Sequence, residues 1–228
     1  MLPLADTAKE KGPTVITTLL IVANAAVFAW EIWLGLRGGR GAVAGFMVEH
    51  ALVPRRLLGH LADARQWETL VSHMFLHGGA VHLLGNLWFL AIFGGNVENR
   101  LGSARFLGFY LLAGAAAAAA QMASGPFSAV PMVGASGAIS GVMGACLVFF
   151  PTAWVWTLVP WIVPIVPVPA AVFLVVWFAL QAVNGLGALL GLPGATGGVA
   201  WWAHAGGFAA GAAMAWKARN AGGRRRRK

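Results

Sequence analysis

Four polar side chains in apolar stretches of this sequence have the types that acyl transfer requires. Ser136 lies in the segment PMVGASGAISGVMGA, and a serine hydroxyl becomes a nucleophile when a general base, usually a histidine, takes its proton. His204 is a candidate for that base. Asn86 and His82 could donate hydrogen bonds to a developing oxyanion, as could the backbone N–H of Ser136. The sequence therefore predicts a nucleophile, a base and two oxyanion-stabilising side chains.

Less specific interpretations of the same residues are also open. A serine among glycines and alanines usually lets membrane helices pack closely, and a histidine or asparagine there can hydrogen-bond between helices. Metal binding is a further alternative, because three histidines lie close together in the chain: His73, His77 and His82. Their spacing is loose and no carboxylate or thiol accompanies them, so we expect no metal site.

The composition is that of a membrane protein with several spans. Of the 228 residues, 59% are hydrophobic and 10% are charged, which leaves too few charges to cover a water-facing surface. The net charge of +9 is weak evidence for nucleic-acid binding, because seven of the sixteen Lys and Arg lie between Lys217 and Lys228. A basic tail after an apolar helix is typical of a cytoplasmic end that contacts anionic lipid. We expect membrane lipid as a partner and no nucleic acid.

Apolar runs near 20 residues predict an all-α membrane protein of six transmembrane helices, because such a run crosses about 30 Å of hydrocarbon. The predicted spans are residues 14–36, 80–97, 104–123, 135–150, 169–190 and 199–217. The segment 151–169, rich in proline and tryptophan, is predicted to be an interfacial loop and not an extra span. The predicted divisions are a cytoplasmic N-terminal segment, a six-helix domain and a basic cytoplasmic tail: residues 1–13, 14–219 and 220–228.

The distribution of Lys and Arg predicts that both termini face the cytoplasm. Six spans place both ends on one side, which would carry eleven Lys and Arg against five in the long first loop. The second, fourth and sixth spans then all run from outside to inside. Their polar residues fall at similar depths, within roughly 10 Å of the outer boundary at 1.5 Å per residue. This layer contains Ser136, His204, His82 and Asn86.

Two glycine pairs predict how the helices that carry the nucleophile and the base meet. Gly137 and Gly141 are four residues apart, as are Gly207 and Gly211, and small residues at this spacing allow two helices to approach closely. No Asp or Glu lies at the depth of His204 with an evident link to it. The predicted unit is therefore a Ser–His dyad without a carboxylate to orient the imidazole.

Three motifs together resemble the rhomboid family of intramembrane serine proteases. They are SHMFLHGGAVHLLGNLWFLAIFGGNVENRLGS (72–103), VGASGAISGVMGA (133–145) and AHAGGFAAG (203–211). The resemblance implies a six-helix bundle with a long membrane-embedded first loop, with Ser136 as nucleophile and His204 as general base. It also implies oxyanion stabilisation by Asn86 and His82, and cleavage near the outer membrane boundary without metal or cofactor.

Two positions depart from the family pattern. Trp67 is followed by Glu68 where the family commonly has an arginine, and Ser140 stands where some members have a tyrosine that packs on the base. We therefore expect other groups, such as Trp201 or Trp202, to hold the base in place.

The expected function is hydrolysis of peptide bonds in transmembrane protein substrates, in a prokaryotic plasma membrane. One alternative is a non-catalytic binder of membrane-protein client helices on the same scaffold. A small transporter or channel is a second alternative. It is disfavoured because the polar groups lie in one outer layer and do not line a full path, and because the chain has no clear internal repeat.

Overall fold

The computed structural model of this chain describes residues 2–8, 12–159, 163–192 and 199–225. Within these ranges the chain forms eight α-helices, one short 3₁₀ helix and one antiparallel sheet of three strands. The helices are α1 (Val15–His50), α2 (Pro54–Gly59), α3 (Ala64–Ser72), α4 (Ala80–Leu101), α5 (Ser103–Ser124), α6 (Ser136–Phe149), α7 (Ala170–Leu189) and α8 (Trp201–Arg225), with the 3₁₀ helix at His73–Phe75. The strands are β1 (Leu2–Asp6), β2 (Trp154–Val159) and β3 (Val163–Pro169).

Each predicted span coincides with one helix of the bundle. Of the described helices, α1, α4, α5 and α7 are long and apolar enough to cross a membrane. α1 continues past the predicted end of the first span and is kinked at Gly39, where φ is +67°. α6 has only 14 residues, about 21 Å, but Gly137 to Cys146 are all buried and form the centre of the bundle. The predicted all-α membrane bundle is confirmed.

The described residues of the segment 151–169 contain two paired strands, β2 and β3, and no additional helix. The segment is therefore not an extra helical span, as predicted, but the prediction of a loop was wrong for these two stretches. β2 pairs with β3, and β1 from the N-terminus pairs with the other edge of β2. The reason is an alternating pattern: Val155 and Thr157 are buried, whereas Trp154 and Trp156 are exposed. Prolines are tolerated in β3 because it is an edge strand of the sheet. Residues 160–162 of this segment lie outside the described residues. The same holds for some of the basic residues on which the predicted orientation rests, namely Lys9, Lys11 and those at 226–228.

The second half of α8 lies beside the end of α6, and β1 lies alongside α4. The Trp88 indole on α4 donates to the carbonyl oxygen of Pro3 in β1 at 2.6 Å. The Arg219 guanidinium on α8 donates to the carbonyl oxygen of Val148, near the end of α6, at 3.1 Å. Ser136, the first residue of α6, is consequently at the opposite end.

α6 and α8 meet backbone to backbone through their glycines. A Cβ atom on Gly207 would overlap the carbonyl oxygen of Gly137, and one on Gly211 would overlap the carbonyl oxygen of Gly141. Because no side chain fits at either position, the two helices approach more closely than larger residues would allow. The predicted packing of the two glycine pairs is confirmed.

Glu98, near the end of α4, caps the first turn of α1. Its Oε1 accepts the backbone N–H of Ile16 at 2.9 Å, and its Oε2 accepts the backbone N–H and the hydroxyl of Thr17, both at 2.8 Å. The first N–H groups of a helix have no partner within the helix, so a buried carboxylate from a neighbouring helix satisfies them here.

Replacing Glu98 by glutamine is expected to lower the free energy of unfolding by about 2 kcal/mol, because the amide retains one acceptor oxygen and presents an NH₂ group to backbone donors. This corresponds to a fall of roughly 4–8 °C in the melting temperature, measured by thermal unfolding of the full chain in detergent micelles. Glu68→Gln is the matched control, because Glu68 is exposed on α3. Equal melting temperatures for Glu98→Gln and the control would contradict the capping role.

Candidate active site

Ser136 follows an extended segment that the first loop holds in place. Met132 and Leu52 exchange backbone hydrogen bonds of 2.8 and 3.3 Å, and the N–H of Gly134 donates to the carbonyl oxygen of His73 at 2.8 Å. Gly134 has a φ of +113°, a conformation that favours glycine. The segment therefore delivers the Ser136 hydroxyl to the N-terminus of α6, where free N–H groups and the helix dipole favour negative charge.

His204, in the first turn of α8, lies within hydrogen-bond distance of the serine. Its Nε2 is 2.8 Å from Ser136 Oγ, and its Nδ1 is 2.8 Å from Oε1 of Gln181 on α7. When Nδ1 carries the proton and donates it to the glutamine oxygen, Nε2 is free to accept the hydroxyl proton. A serine hydroxyl that faces the free nitrogen of an oriented imidazole can be activated as a nucleophile.

Two tryptophans contact the imidazole of His204. The Trp177 ring on α7 lies with its centroid 5.8 Å away, and the Trp201 ring on α8 lies edge-on at 6.4 Å. Trp201 or Trp202 was expected to hold this side chain in place, and of the two it is Trp201 that contacts the imidazole. Trp202 instead donates its indole N–H to the carbonyl oxygen of Gly185 at 3.1 Å, which ties α8 to α7.

Asn86 and His82 lie on the side of α4 that faces the segment before Ser136. The Asn86 amide is 2.9 Å from Nε2 of His77, whose own backbone N–H donates to Oε1 of Glu31 at 3.2 Å. A Cβ atom on Gly134 would lie 2.7 Å from the His82 ring and 3.4 Å from the Asn86 amide nitrogen. The missing side chain at position 134 therefore lets both polar groups approach the serine-bearing segment.

The four predicted site residues line one cavity of about 820 Å³. α4 contributes Val81, Gly85 and Phe89 to its wall, and α7 contributes Trp177 and Ala188. The volume lies in the upper part of the range of roughly 300–1,000 Å³ that ligand pockets occupy. The cavity thus offers space for an extended peptide segment beside the serine.

Two of the three histidines considered as metal ligands, His73 and His77, have hydrogen-bond partners in the structure. His73 Nδ1 is 2.7 Å from the carbonyl oxygen of Thr69, and the His77 ring bonds to the Asn86 amide. Among the residues that the structure describes, no group of three or more His, Cys, Asp or Glu could hold a metal ion.

Sequence reasoning missed two glutamines at this site. Oε1 of Gln181 on α7 lies 2.8 Å from Nδ1 of His204. Oε1 of Gln121 on α5 accepts the backbone N–H of Ala203 at 3.1 Å, next to His204 in the first turn of α8. Gln121 lies two residues from the predicted outer end of its span, and the depth argument that selected the other site residues could have selected it. Gln181 lies nine residues, about 13.5 Å, from the predicted outer end of its span and falls just below that layer.

Residues 64–221, more than half of the chain, match the family model described as Rhomboid domain. The chain belongs to the rhomboid family. The match includes the four predicted site residues and both glutamines, whereas Glu31 on α1 lies outside it. Together with its apolar helices, family membership makes this rhomboid a multi-pass membrane protein.

Several curated proteins are similar to parts of this rhomboid. "Rhomboid protease GluP" of Bacillus subtilis (strain 168) is 44% identical over 82 residues, which are 36% of this chain and 16% of that protein. "Putative rhomboid protease YdcA" of the same organism is 38% identical over 82 residues, 36% of this chain and 41% of that protein. "RHOMBOID-like protein 5" of Arabidopsis thaliana is 32% identical over 92 residues, which are 40% of this chain and 29% of that protein. The matched part spans less than half the length of each relative.

Proposed function

We propose that this rhomboid is an intramembrane serine endopeptidase that hydrolyses peptide bonds of transmembrane substrates near the outer membrane boundary. The observation that carries the proposal is the 2.8 Å contact between Ser136 Oγ and His204 Nε2 in the wall of the cavity of about 820 Å³. The names of two relatives, which contain the words rhomboid protease, support it.

In the proposed acylation step, His204 Nε2 takes the hydroxyl proton of Ser136 while Oγ forms a bond to the substrate carbonyl carbon. The carbonyl oxygen becomes an oxyanion, which Asn86, His82 and the backbone N–H of Ser136 stabilise at the N-terminus of α6. Asn86 has two amide hydrogens, so one can bond to His77 and the other to the oxyanion. The proton on Nε2 then passes to the leaving amine nitrogen as the C–N bond breaks.

The proposed deacylation step uses the same groups with water as the nucleophile. His204 Nε2 takes a proton from a water molecule whose oxygen attacks the ester carbon on Ser136. Oγ leaves with the proton from Nε2, and the second product is a carboxylic acid. Every proton transfer thus occurs at Nε2, the atom that lies 2.8 Å from Ser136.

The site accepts a substrate segment only after its helix unwinds, because a peptide bond in a regular helix is shielded by its neighbours. An unwound segment needs partners for its backbone N–H and C=O groups, which hydrocarbon cannot supply. We therefore expect substrate spans to contain weak helical segments rich in glycine or alanine. Such a segment would lie between Val81 and Gly85 of α4 and Trp177 of α7.

The proposed orientation has both termini in the cytoplasm of a bacterial cell, with the site near the outer face of the plasma membrane. Pairing of β1 with β2 and the bond from Arg219 to Val148 support a common side for both termini. The excess of Lys and Arg at that side supports its assignment as the cytoplasmic one. Two relatives from Bacillus subtilis support a bacterial plasma membrane.

A fluorophosphonate probe is expected to label Ser136 of the full chain in liposomes, because such probes react with serines that a base has activated. Mass spectrometry of the labelled peptide identifies the serine. In His204→Ala the labelling rate should fall by roughly 10²–10⁴-fold, the usual contribution of a general base. Label on a different serine, or equal labelling of His204→Ala and the parent, would contradict the proposal.

A further inference from the structure

We propose that Gln181 is the positioning residue that selects the reactive tautomer of His204. This inference rests on the proposed function, because it concerns the same base. It assigns a role to a residue of α7, whereas the nucleophile and base lie on α6 and α8.

The imidazole of His204 has a polar partner at each of its two ring nitrogens. Its Nε2 is 2.8 Å from Ser136 Oγ and its Nδ1 is 2.8 Å from Gln181 Oε1. Neutral imidazole carries one N–H, and the Nε2–H tautomer would direct that hydrogen at the serine and could not take its proton. The carbonyl oxygen of Gln181 accepts from Nδ1–H and therefore favours the tautomer in which Nε2 is the base.

The group that accepts from Nδ1 is an uncharged amide and not a carboxylate. Gln181 is 8% exposed, in a helix that is long and apolar enough to cross a membrane. A carboxylate at this depth would be costly to hold in its charged form, whereas an amide supplies an acceptor oxygen without a charge. Glutamine thus provides the orienting function of a carboxylate at lower desolvation cost.

Gln181 lies on the face of α7 that packs against α8. One face of α7 contacts α8 through residues spaced four apart: Trp177, Gln181 and Gly185. Trp177 and Gln181 contact His204, and Gly185 accepts the indole N–H of Trp202. The opposite face of α7 is exposed, with Leu180 and Val183 pointing outward.

The same helix forms one wall of the cavity, through Trp177 and Ala188. Gln181 lies on the same helix and bonds to Nδ1 of His204 at 2.8 Å. One wall of the cavity therefore also supplies the group that orients the base.

The test compares Gln181→Met, Gln181→Glu and the matched control Asn184→Leu in the full chain in liposomes, with a single-span substrate protein. Methionine has nearly the shape of glutamine but lacks the oxygen, so kcat should fall roughly 10–100-fold while KM stays within about twofold. Glutamate retains a carbonyl-type oxygen whether or not it is ionised, so it should restore kcat to within about fivefold of the parent. Asn184 lies on the same helix and its amide donates to the carbonyl oxygen of Leu180, one turn earlier on α7, so its variant should match the parent.

A second readout does not depend on proteolysis. The ¹⁵N chemical shifts of labelled His204 in detergent micelles distinguish the two tautomers. We expect the Nδ1–H tautomer in the parent and in Gln181→Glu, and a mixture in Gln181→Met, with melting temperatures that agree within about 3 °C.

The proposal is overturned if the parent is mainly the Nε2–H tautomer, if Gln181→Met keeps the kcat of the parent, if its loss is confined to KM, or if Gln181→Glu is as slow as Gln181→Met. A parent chain that cleaves no substrate would defeat the proposed function instead. The tautomer measurement would still decide the role of Gln181 in that case.

Discussion

Ser136→Ala is expected to abolish cleavage of a transmembrane substrate, with a fall in kcat of at least roughly 10⁴-fold. Alanine removes the only hydroxyl within hydrogen-bond reach of His204 Nε2 among the described residues, and no other group can form the covalent ester. The fold should be unaffected, because the Ser136 side chain is only partly buried and the change leaves the glycine contacts of α6 intact. The measurement is cleavage of a single-span substrate in liposomes, quantified by gel electrophoresis of the products.

Ser140→Ala is the matched control for this experiment. Ser140 lies one turn further along α6, and its hydroxyl donates to the carbonyl oxygen of Ser136 at 2.6 Å. Its removal should leave cleavage within about threefold of the parent, because that bond only supplements the helix. If Ser136→Ala cleaves like the parent, the nucleophile is wrong. If neither chain cleaves and both bind the substrate span equally, the binder of client helices is the better description.

The location of the site could be predicted because polar side chains are costly in hydrocarbon. His82 and Asn86 on one span, Ser136 on another and His204 on a third fall at the same depth in an otherwise apolar chain. The packing of α6 on α8 could be predicted for a related reason, since glycines four residues apart leave a groove on a helix. Both arguments use only residue type and helical spacing.

Other features depend on contacts between distant segments, which a single sequence does not specify. Glu98 caps α1 across more than 80 residues of chain, and its partners Ile16 and Thr17 carry no sequence signal for it. The sheet of β1, β2 and β3 was not predicted. The prolines of segment 151–169 were interpreted as evidence for a loop, and its alternation of buried and exposed residues covers only a few positions. Gln181 was missed because the search for an orienting group considered only carboxylates.

Gly207→Ala is expected to lower activity roughly 100-fold and to destabilise the fold by about 1–3 kcal/mol. The new Cβ would overlap the carbonyl oxygen of Gly137, so α6 and α8 would have to separate by about 1 Å at this level. Gly137 is adjacent to Ser136, and Gly207 lies one turn beyond His204. The separation would therefore act directly on the 2.8 Å contact between Nε2 and Oγ, which is lost beyond about 3.5 Å.

The matched control is Gly108→Ala on α5, where an added Cβ would meet no atom within 4 Å. It introduces the same methyl group into a transmembrane helix and should leave activity unchanged, while the higher helix propensity of alanine raises the melting temperature by at most about 4 °C. Substrate cleavage and thermal unfolding are measured on both variants, with fluorophosphonate labelling of Ser136 as a readout of the base. If Gly207→Ala loses stability but labels at the rate of the parent, the close approach of the helices serves packing alone. Loss of labelling in a chain that still unfolds cooperatively would mean that the glycines set the distance between nucleophile and base.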